Sequence, residues 1–215
     1  MMKINPICNL SHQMRHFATH TFVQKLIKMK VNLVLFFALT LSVAFGQGSF
    51  KTTGFTLAVK GSSNLHEWES QAKDVRANGA ITVEAGVLKA IQSLTVDISA
   101  KSIKSPKGSI MDNKTYDALK ANSYPNITFK LEKANVTKKG DSYDINATGF
   151  LSIAGVTNKI EMYVRAKIGG DGSLTFSGSK KLKMTDYKIK PPTALLGTLT
   201  TGDDVEIVFS LTMKQ

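Results

Sequence analysis

Cysteine is all but absent. The sequence holds one, Cys8, and it lies ahead of the only export signal in the chain. A chain cut after that signal can close no internal disulfide and offers no thiol nucleophile. It also has no cysteine just past the cut to take a lipid anchor. Histidine is nearly as scarce beyond the signal, where only His66 is left. One imidazole with no second histidine and no cysteine cannot complete a nucleophile triad or a histidine-rich metal set. Long apolar runs are missing with one exception, "VNLVLFFALTLSVAF" at 31–45, which is short for a membrane span. Basic residues outnumber acidic ones, 28 to 16, yet the lysines are spread along the chain. With no basic helix and no clustered aromatic and basic surface, nucleic-acid binding is excluded as a reading.

The one apolar run follows Met29 and Lys30 and ends in Ala44, Phe45 and Gly46. A charged start, an apolar core and small residues at a cut after Gly46 predict a secretory signal peptide over 29–46, and hence a periplasmic or secreted protein. Residues 1–28 precede a good signal start. They carry His12, His16 and His20 at every fourth position, a spacing that could line one helix face. The plainer reading is an over-extended N-terminus or a mis-called start, with no function there. Residues 1–46 hold Lys3, Arg15, Lys25, Lys28 and Lys30 and no acid, so removing them lowers the formal charge from +12 to about +7. Lysines spread over solvent faces suit a secreted β protein, and they could favour anionic lipid headgroups in transient membrane contact.

From Phe50 onward the apolar pattern has period two. Phe55, Leu57 and Val59 share a face, as do Leu94, Val96, Ile98 and Ala100. Ile127, Phe129 and Leu131 repeat this, then Tyr143 to Ile153, then Ile160 to Ile168, then Leu174 and Phe176, then Val205 to Met213. Each reads as a strand with one apolar face. Turn signals fall near Gly79, Gly86, Gly140, Gly155, Gly169 to Gly172 and Gly202, and their shortness predicts antiparallel neighbours. "WESQAKDVRANGAITV" is long and imperfect, which predicts a bulged strand. "MDNKTYDALKANSYP" has helical spacing, with Asp112 as N-cap and Pro125 as stop. About eight strands and one short helix make a single all-β domain over 47–215, a closed antiparallel barrel or a sandwich. Long strands in up-and-down order favour the barrel, which leaves no edge. Such a barrel can be filled by side chains or hold one small ligand.

Four stretches in order carry a resemblance. "GSSNLHEWES", "MDNKTYDALKANSYPNITFKL", "ATGFLSIAGVTNKIEMYV" and "KMTDYKIKPPTALLGTLTTGDDVEIVFSL" together resemble the YceI-like family over roughly residues 54–211. The resemblance implies an extended, lipocalin-like, eight-stranded antiparallel barrel in an exported protein, with a long isoprenoid or similar amphiphile inside. It departs from the family's pattern at "KPPTALLG", residues 190–197, which reads as a longer, proline-bent loop at the barrel mouth.

On that reading the inner face supplies the ligand-binding residues: Leu57, Val59, Val96, Ile98, Phe129, Leu131, Leu151, Met162, Val164, Phe176, Ile207 and Phe209. Met111, Tyr116 and Leu119 of the helix, with Tyr124, would form wall or lid. Tyr187, Leu195 and Leu196 would sit at the mouth. The small inner residues Gly61, Ala100, Ala147, Gly149, Ala166 and Gly178 would leave room for a ligand. Alternation puts His66 and Trp68 on one face and Glu67 and Glu69 on the other, so no neighbouring carboxylate can orient that histidine. Trp68 therefore reads as a largely buried space-filler near one barrel end, its N–H bonded to a carbonyl, and ligand-adjacent at most. Asp112, Asp186, Asp203 and Asp204 lack the close spacing of a calcium loop, and Asp203 and Asp204 read as a turn. The sequence thus predicts no enzyme, no metal and no cofactor. It predicts a carrier or sequestering protein for a polyisoprenoid or isoprenoid-quinone-like lipid. The alternative is a filled-barrel structural or interaction protein of the cell envelope.

Overall fold

The computed structural model describes residues 48–194 and 197–215. Residues 1–47, where the sequence predicts a signal peptide, and also Leu195 and Leu196, lie outside the described residues. In chain order come β1 (Gly48–Ser63), β2 (Glu67–Ala72), β3 (Val75–Glu84) and β4 (Val87–Ser99), then a short 3-10 turn (Ala100–Ser102) and β5 (Ile103–Lys104). The helix α1 (Ser109–Ala118) follows, then β6 (Asn126–Lys139), β7 (Ser142–Ile153), β8 (Val156–Ile168) and β9 (Leu174–Lys183). A second 3-10 turn (Thr185–Tyr187), β10 (Thr193–Ala194) and β11 (Leu199–Lys214) complete the chain.

The ladders run β11, β9, β8, β7, β6, β4, β3, β1, and β1 pairs back to β11. All are antiparallel, so the ring closes as an eight-stranded barrel. The alternation that marked the strands is the alternation that buries them. Along β7, Tyr143, Ile145, Ala147, Gly149, Leu151 and Ile153 all face in and are buried. The meander sorts the connections to two ends. One end carries three tight hairpins. The other carries the β1–β2 turn, the segment with α1, the β7–β8 turn and the long 184–198 connection. Two apolar clusters fill the two halves. Ile81, Ile145, Leu174 and Met213 mark the hairpin half, and Ile103, Ile127, Tyr187 and Val205 the open half.

Four local expectations are corrected. The stretch after Trp68 is not one bulged strand. It is β2 and β3 on either side of a corner at Lys73 and Asp74, both paired to β1, and the register shifts lie further along, in the β3–β4 ladder. Gly79 is no turn. It sits inside β3 because a Cβ there would lie 2.5 Å from the Ser93 carbonyl oxygen, so glycine permits the close approach. Gly202, Asp203 and Asp204 lie within β11. Asp203 accepts bonds from the Thr185 N–H (2.9 Å) and hydroxyl (2.6 Å), tying the strand to the adjacent 3-10 turn. Asp112 is not the N-cap. Helix α1 begins at Ser109 after Gly108, and Asp112 is buried one turn in. Its carboxylate reaches back to the Ser105 N–H (2.7 Å) and pairs with Lys104 (3.2 Å), so it closes the loop before the helix.

Candidate ligand-binding cavity

The inner face is not uniformly packed. In the hairpin half, Ile145, Ala166, Leu174 and Met213 are fully buried. Toward the open end the same alternation leaves Leu57, Val59, Val96, Leu131, Met162, Ile207 and Phe209 only half-buried. These side chains border cavities, and Leu57, Val59, Val96, Leu131, Met162 and Phe209 also pack against the two apolar clusters.

Two cavities share a wall. The outer one, at the open end, has a volume of about 280 Å³, and the inner one about 120 Å³. Leu57, Ile98 and Ile207 line both and mark the waist between them. Of the remaining residues expected from the sequence, Val59, Trp68, Met111, Leu119 and Tyr187 line the outer cavity. Val96, Phe129, Leu131, Leu151, Met162, Val164, Phe176 and Phe209 line the inner one. Apart from Lys180, the inner walls are almost wholly apolar. The outer cavity adds Ser63, His66, Glu67, Lys107 and Lys114 toward its rim.

Tyr116 is not among the lining residues. Its hydroxyl donates to the Lys101 carbonyl (2.8 Å), and Lys104 bonds that hydroxyl with its ammonium 5.0 Å from the ring centre. Tyr116 therefore anchors α1 to the chain before it. Tyr124 is likewise no wall. It is exposed and lies over Gly155, where a Cβ would come within 2.4 Å of its ring.

Trp68 is half-buried, less than the sequence predicted, because one face of its ring borders the outer cavity. Its indole N–H donates to the Ser62 carbonyl at 3.1 Å. The ring lies over Gly61, its cross-strand partner, where a Cβ would sit 2.3 Å from it. His66 is exposed at the rim, held by Ser63, whose hydroxyl lies 3.2 Å from Nδ1. Neither Glu67 nor Glu69 bonds it. Besides Gly61, two more of the small inner residues accommodate rings in place of a ligand. Gly149 lies against Phe129 and Gly178 against Phe209.

The rim is set by polar ties. Hydrogen bonding from the Ser105 N–H, with help from Lys104, holds the Asp112 carboxyl below the usual carboxylate range. The Thr185 hydroxyl and N–H do the same for Asp203. Burial pushes the Tyr187 phenol up, partly offset by Asn158. Among the described residues, no three His, Cys, Asp or Glu side chains converge.

The 3.6-residue and two-residue periods could not reveal Ile103, Met184 and Ile189, which come from short connecting pieces with no period. Lys180 had a signal, since it follows Leu174, Phe176 and Gly178 on the inner face of β9, but its charge masked it.

Residues 18–213 match the YceI-like domain. The chain belongs to the YceI-like family. No curated protein matches it in sequence. Among solved structures, this YceI-like chain is similar to BcnA of Burkholderia cenocepacia, with a TM-score of 0.60 and 20% identity over 74% of this chain and 95% of that one. It is similar to a polyisoprenoid binding domain from Saccharophagus degradans implicated in plant cell wall breakdown, with a TM-score of 0.60 and 14% identity, covering 79% and 99%. A Campylobacter jejuni YCEI protein gives a TM-score of 0.52 and 24% identity, covering 68% and 84%. At these identities the likeness establishes the YceI-like barrel and its topology.

Proposed function

We propose that this chain is an exported, non-enzymatic lipid-binding protein that sequesters or carries a long-chain amphiphile, a polyisoprenoid or an isoprenoid-quinone-like lipid. The observation that carries this reading is the row of half-buried apolar side chains around two adjoining cavities that run from the open end into the barrel. Each isoprene-sized unit moved there from water contributes on the order of 2–4 kcal/mol gross, offset by the cost of ordering the chain. The polyisoprenoid-binding relative among the similar folds supports the same ligand class. The signal-like segment at 29–46 supports export. Leu65 and Ile110, 71% and 74% exposed, stand at the rim beside the lining residues His66 and Met111. With Lys107 and Lys114 they suit brief contact with an anionic bilayer.

Native mass spectrometry and organic extraction of the purified protein test the proposal. A co-purifying long-chain amphiphile is expected, and added polyprenyl compounds should raise the thermal midpoint. A ligand-free protein with an indifferent midpoint overturns it. The aromatic rings seated on Gly149 and Gly178 take inner-face space that a ligand would need, and they favour the second reading, a filled-barrel envelope protein.

A further inference from the structure

Strand β9 places one cation on the inner face. Lys180 is half-buried, while its neighbours Ser179 and Lys181 are exposed. Its stem lines the inner cavity, and Leu182, two residues on, lines the outer one. Across the β9–β11 ladder it faces Ile207, a waist residue. A lysine here does what methionine would do for packing, and it brings a charge besides.

The barrel wall is incomplete beside it. β8 and β9 pair only over 164–168 with 174–178. Above that the two strands part, and side chains bridge the seam. The Lys180 ammonium donates to the Glu161 backbone carbonyl (2.8 Å), and the Asn158 amide donates to the Asp186 carbonyl (2.8 Å). Among the described residues no carboxylate lies within ion-pairing distance of Lys180. A cation beside apolar walls with one neutral acceptor would gain from an anionic partner, since charge-assisted bonds are the stronger ones. The seam supplies a route by which such a group can stay hydrated while its chain lies inside.

Building on the lipid-binding reading, we propose that Lys180 at the β8–β9 seam is the subsite for an anionic headgroup, a phosphate or a carboxylate, whose apolar chain occupies the cavities. The headgroup replaces the Glu161 carbonyl as the partner of the ammonium, and the seam is where it leaves the barrel.

Calorimetric titration of the full chain tests this with matched pairs: geranylgeranyl phosphate against geranylgeraniol, and palmitate against hexadecanol. Lys180→Gln keeps a donor for the Glu161 carbonyl and removes the charge, and Lys180→Arg keeps the charge. The wild type should bind one or both anions about tenfold tighter than the matching alcohol, and which pair shows it separates phosphate from carboxylate. In Lys180→Gln that preference, read as the ratio of anion to alcohol affinity, should vanish, and in Lys180→Arg it should persist. Equal losses for anion and alcohol in Lys180→Gln would make Lys180 a wall and seam residue only and overturn the subsite. So would an anion preference that survives the change. A wild type that binds the alcohols without preferring the anions sinks the subsite alone, and one that binds neither member of either pair sinks the lipid-binding reading with it.

Discussion

Trp68 and Gly61 form one unit. The ring covers the glycine across the β1–β2 ladder, its N–H is spent on the Ser62 carbonyl, and its other face borders the outer cavity. A fully buried tryptophan cut to alanine costs about 3–5 kcal/mol. Half-burial lowers this, so Trp68→Ala should cost about 2 kcal/mol in denaturant unfolding. Gly61→Ala should displace the ring, because its methyl group would occupy the ring's position. As this is the only tryptophan, the shift is read directly in emission. An unchanged spectrum in Gly61→Ala would refute the stacking. The indole's bond to a carbonyl and its place at a barrel end were legible in the sequence, since a lone tryptophan on an apolar strand face needs both space and an acceptor. Its half-burial was not, because period two gives a side chain's direction and not what faces it. Tyr116 shows the same limit on a helix. Spacing put it near Met111 and Leu119, yet a hydroxyl that finds the Lys101 carbonyl and the Lys104 ammonium turns the ring to anchoring.

At the scale of elements, the hairpins and the rim ties behave differently. The β3–β4 turn places Ala85 at φ 47° and Gly86 at φ 72°. Both central positions are left-handed, a turn that favours Asn-Gly, and Ala85 is exposed with no packing to lose. Ala85→Asn should therefore stabilise the protein by about 0.5–1 kcal/mol, visible as a higher thermal midpoint. A lower midpoint would contradict the turn assignment. The rim depends on carboxylates. The Asp112 carboxyl is held below its ordinary value by the Ser105 N–H and by Lys104. Its folded pKa is depressed, so its stabilisation is complete above the ordinary carboxylate value of about 3.9 and is lost as pH falls through the folded value. Acidification from about pH 5 to about pH 2 should lower the wild-type midpoint more steeply than that of Asp112→Asn, and parallel curves would remove Asp112 from the rim. Strand alternation was legible nearly everywhere, because each strand has one face in the barrel. The corner at Lys73 and Asp74 and the glycines inside β3 and β11 were not. There glycine marks a close backbone approach, which a sequence cannot distinguish from a turn.

The barrel is packed at its hairpin tip and hollow from there to the open end, with Ile91, Ile145 and Leu211 of the hairpin half lining the inner cavity. Both parts come from the same period-two pattern, so the sequence could not say which part is which. How much space is left depends on where large rings meet small partners, as Phe129 meets Gly149 and Phe209 meets Gly178 on the inner face. The consequence is a depth limit. For an uncharged amphiphile entering at the open end, the outer cavity, of about 280 Å³, takes the first part of the chain, and the inner one, of about 120 Å³, takes its end. Val96 lines the inner cavity alone and is half-buried there, so Val96→Phe fills empty space without crowding the rim. Short amphiphiles held by the outer cavity should bind the variant as they bind wild type. Longer ones should lose about 0.8 kcal/mol for each methylene kept out, so the rise of affinity with chain length should level off sooner. A homologous series of fatty alcohols titrated against both proteins reads this directly. If the variant keeps the full wild-type dependence on length, the chain does not reach the inner cavity. If short and long chains weaken alike, the two cavities do not act in series.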